Sequence, residues 1–468
     1  MRTERCTTLT EIALAVGLAF STSATAGELE EESVVHLSKG VDASIQFATY
    51  NDAFWGLQKI FAPSHAYDST PSWIEVSAKP WLAFEVPMDT WTAYGRLSAL
   101  GTGTLGTDVF DQSDSGRIAV EEAYLGVRGR LSEMRFDLSA GSREFRLGEG
   151  LLLHMGGGNG FERGAPMLAP HRAWKSSVLA SLQLEALEVK GFLLKPDELA
   201  SSDTNTSIYG ASLEWASSSE HVVGASWFKV SKSEAPYPQS PVTIIDGGRE
   251  GLETLTIFGR LAPEGGQANG FSAWGEVAFQ RNSRINMAAW GGGLDIGWRW
   301  SSTRWRPRLS WSPRIFSGDD PSTPNRLERF DPLYYDGSPS TWSSGANGSF
   351  AFYNSNLRVN RVRLELTFGA QDFASLSWYD IRADRSNSPI QYGQGARPVL
   401  SNGVISVVSG FPDRRLTQEL YFEHTHVFDQ HRFLTWGIAV SVPRAGIRAV
   451  LPVAERWFGA MANYTVRF

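Results

Sequence analysis

The sequence predicts an all-β fold: a single transmembrane antiparallel β-barrel of about 18 strands, an even number as in bacterial outer-membrane barrels. Three features lead to this prediction. The last strand alternates apolar and polar residues and ends in phenylalanine, strand-like segments fill most of the chain, and no apolar run after Phe20 is long enough for a membrane helix. Such strands need apolar residues only at alternate positions, which is compatible with a mean hydropathy of -0.22.

The C-terminal segment has one apolar and one polar face. The polar side carries Gly459, Asn463, Thr465 and Arg467, with Met461 as the exception, and the apolar side carries Phe458, Ala460, Ala462, Tyr464, Val466 and Phe468. Period-2 alternation that ends in an aromatic residue is typical of the closing strand of an outer-membrane barrel. A soluble β-domain whose last strand happens to end in Phe is the alternative.

The N-terminal residues resemble a secretory signal. Arg2 and Arg5 precede a short apolar core at 12–20, and Ala24-Thr-Ala26 fits a small-residue cleavage site. We therefore expect residues 1–26 to be a cleaved signal peptide and residues 27–468 to form the barrel. Cys6, the single cysteine, lies in the removed part, so we expect a mature chain without disulfides or thiolate metal sites.

Strand-like segments follow one another without a domain boundary. Short turns are predicted at 86–89, 131–133, 301–302, 369–372 and 428–430, and longer loops at 148–172, 233–250, 317–357 and 386–414. We expect the turns in the periplasm and the loops outside the cell. The predicted strands are 41–56, 73–85, 90–103, 117–130, 134–147, 173–185, 187–195, 206–217, 220–232, 251–262, 269–282, 286–300, 303–316, 358–368, 373–385, 415–427, 431–442 and 455–468. Composition fits as well, with 17 Trp for interfacial girdles and 46 Gly for turns and crowded interiors.

Arginines recur on the polar faces of the predicted strands. Successive strand side chains face opposite sides, and an arginine at the lipid midplane costs about 2–4 kcal/mol, so these rows should face the lumen. The thirteenth strand alternates four arginines with apolar residues and has no acidic residue among them. The predicted pore-lining residues are Arg135, Arg143, Arg163, Arg172, Arg304, Arg306, Arg308, Arg314, Arg361, Arg363, Arg415, Glu365, Glu419 and Tyr421.

A barrel of this size is too wide to be filled by strand side chains alone, so we expect a channel narrowed by inward loops. The Gly-rich segment from Gly148 through Arg172 is the candidate constriction loop. Rows of arginine favour anions in pores, and arginine binds carboxylates bidentately. The alternative is that the arginines brace the wall by pairing with acidic residues, for which the candidates are Glu75, Glu122, Glu276, Glu365 and Glu419.

Several short motifs resemble those of the alginate-export porin family of outer-membrane barrels. The most specific is Ser317-Gly-Asp-Asp-Pro321 followed by Phe330-Asp-Pro-Leu-Tyr334. The others are Val120-Glu-Glu-Ala-Tyr124, Gly141-Ser-Arg143 with Arg146-Leu-Gly-Glu-Gly150, Leu416-Thr-Gln-Glu-Leu420 and, more weakly, Gly275-Glu276. The usual Gly-Arg-Gln of the family is Ser142-Arg143-Glu144 here. The resemblance implies an 18-stranded barrel with an electropositive lumen that passes anionic polysaccharide outward by diffusion. The basic lumen positions that it carries over are Arg143, Arg304, Arg306, Arg361 and Arg363.

Signals for enzyme or metal chemistry are weak. His424 and His426 share one strand face, but a usual zinc site needs three or four ligands. Asp319 and Asp320 are weak candidates for calcium, and a capped turn is the better interpretation of this pair. No G-x-S-x-G elbow occurs. We therefore expect no enzyme activity, no cofactor and no resident metal.

Two transport functions remain after these exclusions, with a plugged structural or surface-binding barrel as a third interpretation. The first is export of an acidic polysaccharide such as an alginate-like polyuronate, with sugars stacking on Tyr379 and Tyr421. The second is an anion-selective uptake porin for small organic acids or oligosaccharides. We expect contacts with outer-membrane lipid and with periplasmic secretion partners, and a monomer. The net charge of -7 gives no reason to expect nucleic-acid binding.

Overall fold

The computed structural model describes residues 35–58, 67–239, 243–263, 268–320, 322–323, 325–338, 341–388, 398–401, 404–407 and 410–468. The predicted leader 1–26 lies outside the described residues. Eighteen strands form one antiparallel sheet. They are β1 (His36–Asn51), β2 (Ser72–Pro87), β3 (Trp91–Gly106), β4 (Gly116–Leu131), β5 (Met134–Arg143), β6 (Trp174–Leu184), β7 (Leu187–Lys195), β8 (Ser207–Ser218), β9 (His221–Lys232), β10 (Glu253–Leu261), β11 (Gly270–Asn282), β12 (Met287–Arg299), β13 (Arg308–Phe316), β14 (Leu357–Phe368), β15 (Asp372–Ala383), β16 (Arg415–Val427), β17 (Arg432–Pro443) and β18 (Trp457–Arg467).

Each strand pairs with its neighbours in sequence, and β18 closes the barrel against β1. Ala43 lies opposite Val466 in this register, and Phe468 and Val41 exchange backbone hydrogen bonds of 2.9 Å. The terminal phenylalanine therefore forms part of the closing seam. Full closure leaves no unpaired sheet edge, which a lipid-exposed sheet requires. The predicted fold class and the number of strands are confirmed.

The two ends of the barrel differ in the length of their connections. The start of β1, the end of β18 and the five predicted short turns share one end, which corresponds to the periplasmic side in barrels of this kind. All four long loops predicted from the sequence begin and end at the opposite, extracellular end. Two short hairpins lie in those loops, formed by Tyr237–Gln239 with Thr243–Ile245 and by Pro398–Ser401 with Val404–Val407.

Large apolar side chains cover the outside of the barrel. Leu309 and Trp311 of β13 are 46% and 47% exposed, whereas the intervening Ser310 is 2% exposed and faces inward. The same alternation holds in the other strands. Exposed tryptophans form the aromatic girdles expected at membrane interfaces, and they are Trp91, Trp215, Trp227, Trp290, Trp298, Trp300, Trp305, Trp311, Trp378 and Trp436.

Four predicted strand boundaries are wrong by four or five residues. β1 begins at His36 rather than at position 41, and β5 ends at Arg143 rather than at position 147. Local backbone geometry explains the other two. The first strand ends at Asn51 rather than at position 56, because Asp52, Phe54 and Trp55 adopt positive φ and Ala53–Gly56 form a 3-10 turn. The thirteenth strand begins at Arg308 rather than at position 303. Arg306 has a φ of 40°, and Pro307 follows it, so the chain cannot extend the ladder there.

In the part of the chain that the structure describes, helical structure is limited to short segments. These are the 3-10 turns Ala53–Gly56, Phe161–Arg163 and Ala200–Ser202 and the helices α1 (Gly348–Ala351) and α2 (Ala445–Val450). Among the residues that the structure describes, no helix is long and apolar enough to span a membrane.

Candidate functional site: the barrel lumen

The β5–β6 loop (residues 144–173) crosses the lumen from one wall to the other. On β11, the Glu276 carboxylate accepts hydrogen bonds from the backbone N–H groups of Glu149 and Leu151, at 2.9 and 3.3 Å. On β2, the Glu75 carboxylate accepts from the N–H groups of Met167 and Leu168, at 3.0 and 2.8 Å. Strands β2 and β11 are nine apart in a ring of eighteen and lie on opposite sides of the barrel. The loop therefore has the inward position expected of a constriction loop.

The β13–β14 loop (residues 317–356) also folds inward. The buried Glu419 carboxylate of β16 accepts from the N–H groups of Ala346, Asn347 and Gly348 at the start of α1. A second set of contacts joins the two loops: Trp342 Nε1 donates to the Glu149 carbonyl at 2.9 Å. The inward loops thus pack on each other as well as on the wall.

Three glutamates predicted as arginine partners have a different role. Glu75, Glu276 and Glu419 hold loop backbone, so the alternative that these three neutralise wall arginines is wrong. A carboxylate that accepts several N–H groups satisfies its own hydrogen-bonding needs and those of the inward loop. The other two do pair with basic groups. Glu122 contacts Arg96 at 3.0 Å, and Glu365 contacts three arginines at 3.4–3.6 Å, namely Arg299, Arg308 and Arg363.

Adjacent to Glu122 is a second buried glutamate, Glu121, which reasoning from the sequence missed. A register shift opposite Ser98 and Ala99 gives β4 one extra residue, so both glutamates are buried. Glu121 accepts from the N–H groups of Arg172 and Ala173 at 2.8 Å, and its Oε2 lies 2.9 Å from Nδ1 of His171. It fixes the returning end of the β5–β6 loop. The consecutive Glu-Glu pair was the only sequence signal for this bulge.

Two groups of arginines lie on the wall of the barrel, one on β3–β5 and one on β12–β14. The group on β12–β14 is called here the second basic wall. Asp295 receives Arg308 at 2.5 Å and Arg361 at 3.0 Å, and Glu365 completes the set of acids that these arginines contact. Arg314 instead donates to the Ser343 carbonyl at 2.6 Å and lies 5.7 Å from the Trp342 ring. The arginines of this wall outnumber the two carboxylates that they contact. These arginines are Arg299, Arg308, Arg314, Arg361 and Arg363.

The other group lies on β3–β5 and is called here the first basic wall. Arg143 donates to Tyr94 Oη at 3.1 Å and Ser139 Oγ at 2.5 Å, while Asp137 lies 3.9 Å away. Its guanidinium also lies over the rings of Tyr94 and Tyr124, at 5.7 and 4.7 Å. The wall consists of Arg96, Arg128, Arg130, Arg135 and Arg143. Reasoning from the sequence missed Arg96, Arg128 and Arg130, although they alternate with apolar residues on β3 and β4.

These two walls face each other across the lumen. Strands β3, β4 and β5 are each nine positions from β12, β13 and β14 in the closed ring of eighteen. On the second basic wall, Arg299, Arg308 and Arg363 keep some exposed surface, whereas Arg314 and Arg361 are 2% and 1% exposed and lie buried in the wall.

Several predicted pore-lining residues occupy other positions. Because β13 begins at Arg308, the predicted single row of four arginines is wrong: Arg304 and Arg306 lie in the exposed β12–β13 turn. Arg163 is 3% exposed and donates to the carbonyls of Gly158, Asp197 and Glu198, so it braces loops.

Two further predicted arginines are exposed and outside the basic walls. Arg415 is exposed and pairs with Asp413 at 2.9 Å, and that carboxylate has its pKa lowered to about 2 by hydrogen bonds from Arg415. Arg172 is exposed on the β5–β6 loop, next to the buried His171.

The two tyrosines predicted to stack on sugars are buried. Tyr379 is 0% and Tyr421 4% exposed, and Tyr421 Oη donates to Glu423 at 2.6 Å. The prediction that sugars stack on these rings is wrong, because packing and loops cover the middle of the β15–β16 wall. Tyr94 and Tyr124 of the first basic wall, in contrast, are in contact with Arg143.

The aspartates considered for calcium are used within the β13–β14 loop. Asp319 accepts from the N–H groups of Glu328 and Arg329, and Asp320 accepts from Ser322. Within the described ranges, no group of three or more His, Cys, Asp or Glu side chains is arranged to hold a metal ion. His424 and His426 contact one carboxylate, Asp372, at 3.2 and 2.8 Å.

Loop groups carry shifted pKa values. Burial raises the pKa of Asp108, in the β3–β4 loop, to about 6, although the N–H groups of Phe110 and Gln112 donate to its carboxylate. Burial lowers the pKa of His154 in the β5–β6 loop despite the nearby Asp336 carboxylate, 3.7 Å away. His154 is therefore neutral at pH 7.

Comparisons with known proteins agree with this architecture. The chain is similar over most of its length to three Pseudomonas aeruginosa protein structures, OccK11 (OpdR), OccK3 (OpdO) and the outer membrane protein opdK. Their TM-scores are 0.53, 0.51 and 0.51 at 11%, 11% and 9% identity, with 92% of this chain and 96%, 96% and 98% of those chains covered. Identity this low shows the fold alone. No curated protein sequence matches.

A family model described as "Alginate export" matches residues 37–393, which is more than half of the chain. The match begins in β1 and ends in the β15–β16 loop, so it includes both basic walls and both inward loops. Together with the closed barrel, it places the protein in the bacterial outer membrane as a channel. The chain belongs to the alginate export family of outer-membrane barrels.

Proposed function

We propose that the channel prefers anions and exports an acidic polysaccharide of the alginate type. The observation that carries this proposal is the pair of opposed basic walls. On the second wall, five arginines share the two carboxylates Asp295 and Glu365 or bond a carbonyl. A surplus of positive charge on both sides of a narrowed lumen attracts anions and repels cations.

Pairing within the walls also suits transport. Conduction requires sites that bind weakly and in series, because a tight site would hold the solute. An arginine that already contacts a carboxylate can exchange it for a substrate carboxylate at little net cost. Arg143 suits such an exchange, since its side chain is 27% exposed and its acidic neighbour is 3.9 Å away. We propose Arg143 as the main contact on the first wall.

A second function is an uptake porin for small organic anions. The inward loops favour it, because the β5–β6 loop is fixed at both walls and packs on the β13–β14 loop. A passage narrowed in this way suits a small solute, whereas a polymer requires the loops to leave a continuous path. Family membership favours the polysaccharide. A barrel plugged by its loops, acting as a platform, is the third candidate.

Current block by uronate oligomers in a planar bilayer separates these functions. A polysaccharide exporter is blocked by an oligouronate of several residues, and Arg143→Gln should weaken that block by about tenfold or more, because one charge-assisted contact contributes about 1.5–3 kcal/mol. The matched control is Arg284→Gln, an exposed arginine of the β11–β12 turn paired with Glu250. Anion current without oligomer block would favour the small-solute porin, and folded protein without current would leave the plugged barrel.

The remaining assignments follow from the same proposal. We propose that residues 1–26 are removed on export, that the barrel works as a monomer in lipid, and that periplasmic secretion partners deliver the polymer. We propose no catalytic activity, cofactor or resident metal.

A further inference from the structure

The periplasmic end of the first basic wall carries two arginines that face each other. Arg130 near the end of β4 and Arg135 near the start of β5 are directly opposite in the strand register. Both are exposed, and within the described ranges neither side chain forms an ion pair or hydrogen bond with the protein. Like charges directly opposite each other destabilise a sheet. A bound anion would remove this repulsion.

The surroundings of this pair form a cleft at the periplasmic mouth. Gln183 of β6 lies opposite Arg135, so hydrogen-bond donors follow one another across three strands. Thr92 and Ser181 also line the cleft. Two acidic residues line it as well: Asp89 in the β2–β3 turn, and Asp137, which accepts a hydrogen bond from Tyr94 at 2.5 Å.

From the cleft, basic groups continue into the lumen. Arg128 occupies the next inward position on β4, pairs with Glu85 at 2.8 Å and lies 5.2 Å from the Tyr94 ring. Arg143, which lies further along β5 toward the interior, is 5.7 Å from the same ring. The cleft is therefore the outermost step of the first basic wall, and it opens where a solute arrives from the periplasm.

We propose that this cleft is a loading site that captures a carboxylate group of an acidic saccharide from the periplasm. Arg130 and Arg135 hold the carboxylate between two guanidinium groups, Gln183 and the hydroxyls bond the sugar, and Arg128 and Arg143 receive the next acidic residues. The inference rests on the proposed function, because it assigns the first contact of the same anionic substrate.

The test is the sidedness of oligouronate block. Tetra-uronate is added to either chamber of a bilayer holding wild type, the Arg130→Gln/Arg135→Gln variant or the control Arg304→Gln/Arg306→Gln. The control removes two exposed arginines at the same end, on the opposite wall. Orientation is read from a Ser302→Cys substitution in the β12–β13 turn, which an impermeant thiol reagent reaches from the periplasmic chamber. Heat-modifiable gel mobility verifies folding of each variant.

The loading site predicts that the periplasmic association rate falls about tenfold in the Arg130/Arg135 variant, because charges at a rim act mainly on association. The rate from the extracellular chamber and both rates of the control stay unchanged. If the oligomer blocks wild type and the Arg130/Arg135 variant at the same rate from the periplasmic side, the loading site is overturned and the proposed function stays intact. Wild type that is blocked from neither side would overturn both.

Discussion

Asp295 is the charge on which the second basic wall depends, and Asp295→Asn tests that role. Its side chain is 2% exposed and accepts from Arg308 at 2.5 Å, from Arg361 at 3.0 Å and from Ser312 Oγ at 2.5 Å. Asparagine keeps the shape but removes the charge, and it leaves two guanidiniums side by side.

The loss of unfolding free energy in Asp295→Asn depends on the contacts that each arginine keeps. Breaking a buried ion pair typically costs about 3–5 kcal/mol, because the remaining charge is left unpaired. Arg308 keeps Glu365 at 3.4 Å and Arg361 keeps Ser312, so we expect the lower end, about 3 kcal/mol of unfolding free energy. The same substitution should increase the preference of the channel for anions. One added positive charge about 10 Å from a passing ion contributes about 0.4 kcal/mol in water, which is roughly a twofold gain in anion preference.

Both effects are measurable on one preparation. Urea unfolding in lipid vesicles, followed by tryptophan fluorescence, gives the stability change, and the reversal potential in a salt gradient gives selectivity. Asp42→Asn is the control for the stability change. It removes a lumen-side carboxylate of β1 that has no ion pair in the part of the chain that the structure describes. Unchanged stability, or a shift of Asp295→Asn toward cations, would refute the reasoning.

Two further predictions concern the loops. Because the pKa of Asp108 is raised to about 6 from its ordinary value of 3.8, the folded loop binds the proton more tightly, and its stability falls as the pH rises from about 4 through 6. Asp108→Asn should abolish this fall in hydrogen-exchange protection over 107–115, and a wild-type loop with pH-independent protection would contradict it. Glu276→Gln should weaken two charge-assisted loop contacts by about 1 kcal/mol each and increase fluctuations of the open current. Glu214→Gln is the control. The Glu214 carboxylate pairs with Lys190 and not with loop backbone, so this substitution should leave the fluctuations of the open current unchanged.

Alternation along single strands was enough to predict the barrel. The lipid-facing rows, the inward arginines of β13 and β14 and the closing strand follow from a period of two, because a one-residue slip would place arginine in lipid. Boundaries failed where local backbone geometry decided them. The positive φ of Arg306 ends the inward row, and nothing in the alternation of Arg304 and Arg306 indicates it.

Charge pairing could not be predicted from single strands. No acidic residue alternates with the arginines of the thirteenth strand, yet Asp295 and Glu365 reach Arg308 from the strands on either side. Register and neighbouring strands determine such contacts. The same limit applies to Glu75, Glu276 and Glu419, whose partners are backbone groups of distant loops.

The reversal potential of the wild-type channel in a potassium chloride gradient tests the central claim most directly. If the opposed basic walls control permeation, the potential will have the sign of chloride preference, and the preference will weaken as salt rises and screening shortens toward 3 Å at 1 M. A cation-selective channel, or one without preference at low salt, would contradict the assignment of the walls as the anion path.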